Sequence, residues 1–437
     1  MKRAFLAWLG LAAGQLAAQT PSPAAPKPID LPTTLRLAGA NNLDVQIARE
    51  KVNETRAAQD AARARFFPWL EPSIVVRRHE GNIQAVNGPI IDADKQSLAA
   101  GVALNAQVDL GEAYFQELVA HQVTRGSEAA LATRQREATL RAATAYFELA
   151  RARAVVAAAD EAARIAGRHA DQVAAMVSAG LTFAGDAARV HAARERAELA
   201  LLRLQTSQRL AAARLAQVLH LDPAIELVPA DPDLAPLTLA AASDELGPII
   251  AHALAVRPEL DEAAARLEAA RIGRRGATVG PLIPTVGAEA AVGGLGGGAG
   301  SASLGRDFDT SADYALGLSW RVGPGGLLDR NRQREGASRE QQVQFEIEQA
   351  RDEVRREVVE QHARLRSLAG EIELAHRALE AADQAAQLSR QRRETGVSAV
   401  LEDLDAEEQL AGARRDYLST VADYNIAQYA FRFAAGL

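Results

Sequence analysis

Apolar positions along this chain recur with two different periods, and the change of period divides the sequence into elements. From Val343 onward, Ile347, Ala350, Val354, Val358, Leu365, Leu368, Ile372, Ala375, Leu379 and Ala382 lie mostly three or four residues apart, with Glu, Arg and Gln between them. That spacing puts one apolar stripe on one face of an α-helix. No proline lies between Pro89 and Pro223 or after Pro324, so uninterrupted helices are predicted over 111–178 and 327–394. At about 1.5 Å of rise per residue, each reaches ~100 Å, far beyond what a globular domain needs. Ala-rich stripes let neighbouring helices approach closely. Each long helix ends near a glycine, Gly180 or Gly396, suited to a helix stop. A second helix then returns over 184–219 and 400–435, so each pair reads as an antiparallel hairpin of coiled-coil type.

Elsewhere the period is two. Leu98, Ala100, Val102, Leu104, Ala106, Val108 and Leu110 alternate with Ala99, Gly101, Ala103, Asn105, Gln107 and Asp109. Tyr314, Leu316, Leu318, Trp320 and Val322 alternate with Asp313, Ala315, Gly317, Ser319 and Arg321. These are strands with one apolar face and one small or polar face. Val286, Ala288, Ala290 and Val292 repeat the pattern more weakly, and 73–83 show it least, because Arg77 and Arg78 are adjacent.

The same grammar occurs twice. Asn42 to Pro68 and Pro258 to Pro284 cover the same number of positions, and an offset of 216 carries Gly180 onto Gly396 and Leu149 onto Leu365. Each half reads as a helix of roughly 25–35 residues stopped by proline, two strands and a long hairpin. The expected organisation is a first repeat over 33–222, a linker over 223–242 and a second repeat over 243–437.

Composition adds a compartment. Lys2 and Arg3, the apolar run from Ala4 to Leu16 and the small pair Ala17-Ala18 make an export signal over 1–18, followed by a Pro-rich leader over 19–32. With no cysteine, disulfides, thiolate metal sites and a cysteine nucleophile are excluded. A net charge of -7, more negative once Lys2 and Arg3 leave, argues against nucleic acid as a partner. Aromatics are only 4%, which suits Ala-mediated helix packing rather than a large globular core.

Strands of about ten residues, apolar on one side and polar on the other, suit a transmembrane barrel. Four strands cannot close a barrel, and open edges are not tolerated in lipid, so several chains must share one. Eight strands leave a barrel nearly filled by its own side chains, so a conduit favours at least three copies.

At this point the sequence resembles the TolC family of outer-membrane efflux proteins, over roughly 32–437. The marks are FFPWLEP (66–72) and PLIPTV (281–286), the hairpin tips AGLTFAGD (179–186) and TGVSAVLEDLDAEE (395–408), and the closing ARRDYLSTVADYNIAQYAF (413–431). The resemblance implies an α+β membrane protein. Duplicated long antiparallel α-helical hairpins would form a coiled-coil barrel, and four strands per protomer would join a shared 12-stranded transmembrane β-barrel. It implies a homotrimer in outer-membrane lipid, extending into the periplasm and serving a tripartite efflux or type I secretion system. Its partners would be a periplasmic adaptor (membrane fusion) protein and an inner-membrane pump. By position, Gly180, Leu181, Thr182, Gly396, Val397 and Ser398 would be the adaptor-contacting tips. Glu402 and Asp405 would line the periplasmic gate, with Asp186 helping to hold the tip closed. Ser398 departs from the family pattern, standing where some members carry an arginine of the closing network.

No catalytic constellation is expected, and no cofactor or metal. The histidines, such as His121, His169 and His362, are scattered along helices without ligand spacing and read as surface or packing residues. GGLGGGAG (293–300) lacks the Lys and helix of a phosphate loop and reads as an extracellular loop or strand end. The alternative to a channel is a secreted periplasmic coiled-coil scaffold or adaptor without a barrel, which would leave the four strands without purpose.

Overall fold

The computed structural model describes residues 26–231, 233–239, 245–300, 302–394 and 400–437. The signal segment and the tip residues Gly396, Val397 and Ser398 lie outside the described residues. In chain order the elements are β1 (Lys27–Ile29), α1 (Leu31–Asn41), α2 (Leu43–Ala64), β2 (Trp69–His79), β3 (Asn82–Gln84), β4 (Ile90–Asp92), β5 (Lys95–Asp109), α3 (Leu110–Ser178) and α4 (Ala184–Val218). There follow β6 (Leu227–Pro229), α5 (Leu246–Val256), α6 (Pro258–Val279), a short 3₁₀ turn, β7 (Thr285–Ala299), β8 (Asp309–Ser319), α7 (Arg330–Glu394) and α8 (Val400–Ala435).

The long helices and their returns begin and end within three residues of their predicted bounds. The opening helices differ, because each is broken in two. Buried Asn42 is extended, and its side-chain oxygen accepts from the backbone N–H groups of Asp44 (2.9 Å) and Val45 (3.2 Å). It thereby ends α1 and caps α2. In the second half Arg257 is extended and Pro258 takes the first helical position, where its missing N–H costs nothing.

The strand order is β2-β5-β7-β8, antiparallel throughout. β2 runs over Trp69–His79 despite its weak alternation. As an edge strand it tolerates Pro72. The glycine-rich 293–300 is the far end of β7 rather than a loop. Phe308 lies across it, and a Cβ at Gly294 would collide with that ring. Two small pairs complete the sheets, the parallel β1–β6 and the hairpin β3–β4.

Two compact units emerge, and each draws on both halves of the sequence. One comprises the described residues of Met1–Arg36, Ala142–Ala235 and Leu374–Ala422. Its core includes Ala170, Val173 and Val190, with Leu404 against them. The other comprises Leu37–Arg141, the described part of Pro236–Glu373, and Asp423–Leu437. There Ala253, Leu260, Val354, Val358 and Ala434 pack together, as do Leu365, Leu368, Ala427, Phe431 and Ala435. In this second unit four helices lie side by side. Arg56–Glu128 (2.6 Å) and Arg63–Glu117 (3.0 Å) join α2 to α3. Gly111 backs onto the Gly280 carbonyl, and the Phe115 side chain of α3 packs directly onto Gly276 of α6, so the two helices approach closely. Gly336 against the Arg274 backbone, with Arg274–Glu340 (3.1 Å), joins α6 to α7.

Candidate functional site

The sheet has two chemically distinct faces, set by register. Directly paired residues share a face. One row is Leu70–Leu104–Ala290–Tyr314, the next Pro72–Val102–Val292–Ala312, another Ala106–Ala288–Leu316 and another Val108–Val286–Leu318. This face is apolar across all four strands. Several of its large side chains are uncovered, Leu316 at 81% and Ile74 at 77% exposed, while Val108 at the helix end of the sheet is buried. The opposite face carries Trp69–Asn105–Glu289–Ala315, Glu71–Ala103–Ala291–Asp313 and Gln107–Gly287–Gly317. There Asn105 donates to Glu71 (3.0 Å). A sheet with lipid-like chemistry on one side and polar groups on the other matches the wall of a membrane barrel. Among the described residues, β2 and β8 have no strand on their outer edges.

The first hairpin turns at Gly180. Its φ is +70°, its N–H donates to the Val177 carbonyl (3.0 Å), and the Leu181 N–H donates to Met176 (2.9 Å). These two bonds satisfy the last carbonyls of α3, and the left-handed residue between them favours glycine. Leu181 (73%) and Phe183 (83%) project into solvent. Thr182 donates to Asp186 (3.4 Å), and Asp186 also lies 3.9 Å from Arg189. The turn therefore brings Gly180, Leu181, Thr182 and Asp186 together at one end of the hairpin.

Glu402 and Asp405, one turn apart on α8, are both exposed. Glu402 accepts from Arg392 (2.8 Å), and Asp405 from Gln409 (2.8 Å). The residue between them is the buried one. Asp403 is 0% exposed and sits 3.2 Å from Arg393 of α7 and 3.4 Å from His169 of α3. Arg393 also donates to Gln172 (3.0 Å), and Arg390 to Glu407 (2.5 Å). This polar cluster ties α3 of the first hairpin to both helices of the second. Burial pushes the His169 imidazole below its ordinary range; Asp403 pulls the other way, while Arg393 reinforces the burial. The residue is therefore neutral at pH 7 and can accept at one ring nitrogen, with Arg393 Nη1 3.1 Å from Nδ1.

The scattered histidines had read as surface or packing residues, and His169 is neither. One signal pointed to the cluster: Asp403 and Glu407 fall at core spacing with Leu410, so charged side chains occupy the buried stripe of α8. His362 does pack, against Phe431. Among the described residues no group of His, Asp or Glu could hold a metal ion, and no helix is long and apolar enough to cross a membrane.

A family model described as "Outer membrane efflux protein" matches residues 34–219 and 249–437. A membrane protein from Pseudomonas aeruginosa has a similar structure, with TM-score 0.79 and 20% identity, covering 93% of each chain. The outer membrane protein VceC from Vibrio cholerae superposes with TM-score 0.75 at 20% identity, over 93% of this chain and 96% of that one. The open state of the MtrE outer membrane channel from Neisseria gonorrhoeae gives 0.73 at 18%, over 93% and 88%. These likenesses establish the fold. Protein CyaE from Bordetella pertussis is 45% identical over 92 residues, which is 21% of this chain and only 19% of that relative's length. The family match spans most of the sequence, in two stretches that each hold two strands of the sheet and a long helical hairpin. The chain belongs to the outer membrane efflux protein family.

Proposed function

We propose that this chain is the outer-membrane channel of a tripartite export system, working as a homotrimer. The observation that carries it is the two-faced sheet with unpaired outer edges. An open edge is untenable in hydrocarbon, whereas three copies supply twelve strands and close the ring. The polar face then lines the lumen, and the helical hairpins continue the conduit into the periplasm. The tunnel is passive and carries out no chemical step of its own. A periplasmic adaptor meets the tips at Gly180, Leu181 and Thr182, with Gly396, Val397 and Ser398 of the second hairpin. An inner-membrane pump supplies the energy. Glu402 and Asp405, with Asp186, form the periplasmic gate, and exposed carboxylates there favour cations. The two sequence repeats, 33–222 and 243–437 about a linker over 223–242, are each one half of the protomer's wall.

The test is Leu316→Lys. A soluble sheet would tolerate it, since the side chain is already 81% exposed. In a lipid-facing wall a lysine costs up to about 2–4 kcal/mol near the bilayer midplane. Heat-modifiable trimers in the outer-membrane fraction should fall sharply for Leu316→Lys and persist for Ala315→Ser on the lumen face. Equal recovery of both variants would remove the barrel. Single-channel recording of Glu402→Ala with Asp405→Ala should show weakened cation selectivity; unaltered selectivity would reject the gate assignment.

A further inference from the structure

A cavity of about 1060 Å³ in the second unit is lined by all four of its side-by-side helices, α2, α3, α6 and α7. All four helices reach this cavity, so it is a basin on one face of their layer. The charged lining is unequal, seven Lys and Arg against four Asp and Glu. Arg134 is held by Glu137 (2.7 Å), Arg141 by Asp44 (2.8 Å) and Arg266 by Glu262. Arg332 and Arg339 line the same cavity and make no side-chain hydrogen bond or ion pair with a described residue. They stand two turns apart on α7, roughly 10 Å along the helix. Asp329 caps the start of α7, accepting from the backbone N–H groups of Asn331 and Arg332 (3.1 Å each), and Arg339 lies further along the helix.

We propose that this basin binds acidic polypeptide, with Arg332 and Arg339 as its anchoring cations. A guanidinium pairs with carboxylate through two parallel hydrogen bonds, and an unpaired one facing a groove is free to do so. An extended chain advances about 3.3 Å per residue, so carboxylates three or four residues apart meet both arginines. A small monovalent anion cannot bridge them. If the chain is the proposed channel, the basin belongs to the tunnel wall and the occupant is an acidic stretch of exported polypeptide. Only that identification of the occupant rests on the channel assignment.

The test is a calorimetric titration of the full-length protein in detergent with a polyglutamate peptide of about twenty residues. The wild type should bind, with affinity falling steeply as salt rises. Arg332→Glu with Arg339→Glu should weaken binding by at least about tenfold. Arg351→Glu with Arg355→Glu, exposed on the same helix outside the cavity, should leave it unchanged. No binding by the wild type, equal affinity in the first double variant, or equal loss in the control pair would overturn the proposal. The same peptide applied to single channels separates the two ideas. Absence of conductance would count against the channel and leave the calorimetry standing. Conductance that polyglutamate blocks at the same concentration in wild type and Arg332→Glu/Arg339→Glu would count against the basin.

Discussion

Replacing Asp403 by leucine should loosen α8 where it meets the first hairpin. The carboxylate is fully buried, 3.2 Å from Arg393 and 3.4 Å from His169. Removing one partner of a buried pair costs about 3–5 kcal/mol, because the other charge stays desolvated. Arg393 keeps 24% of its side chain in solvent and recovers some hydration, so the lower end applies, about 3 kcal/mol. The effect is local, so hydrogen exchange reads it better than global unfolding of an assembled membrane protein. Amides of α8 around 402–410 and of α3 around 166–173 should exchange roughly a hundredfold faster, at about 1.4 kcal/mol per factor of ten. Adding Arg393→Met to Asp403→Leu removes the stranded charge and should restore most of the protection, since apolar replacements of buried pairs are often neutral. Unchanged exchange in the single variant, or no recovery in the double, would refute the claim that this ion pair holds the helices together.

The His169 imidazole titrates below its ordinary value, so its neutral form is native. Its contribution is intact above about pH 6.5 and erodes as pH falls below that, and between pH 7 and 5 the wild-type melting temperature should drop more than that of His169→Gln. Gly111→Ala forces a methyl group into the Gly280 carbonyl and should cost about 1–3 kcal/mol, seen as a lower melting temperature. Gly167→Ala in the same helix meets nothing within 4 Å and should raise it. Asn42→Ala removes the α2 cap and should cost about 1 kcal/mol by the same measurement.

The long helices were legible because their signals are strong and local: a stripe sustained over many turns, no proline, and a glycine at the end. The breaks at Asn42 and Arg257 were present as a capping residue and an N1 proline. β2 was hard to see because Arg77 and Arg78 interrupt its alternation, and its extent is set by pairing with β5 from Trp69↔Asn105 to His79↔Lys95. The tip and gate positions came from family likeness, since an exposed turn or acidic helix start has no signature of its own. The Asp403 cluster draws on three helices, and no spacing rule connects His169 to a carboxylate so far along the chain.

The pairing of β5 with β7 has a consequence for how the chain must be made. Val102 meets Val292 about 190 residues later, so the sheet cannot be completed until the first helical hairpin, the whole linker, α5 and α6 have left the translocon. Until then the β2–β5 ribbon waits in the periplasm with an open edge and a bare apolar face, the form in which strands pair with the wrong neighbour. The interval between the emergence of Asp109 and that of Thr285 is therefore the one in which this chain is most open to mispairing. Slowing export within that interval should be more harmful than slowing it anywhere after Ser319.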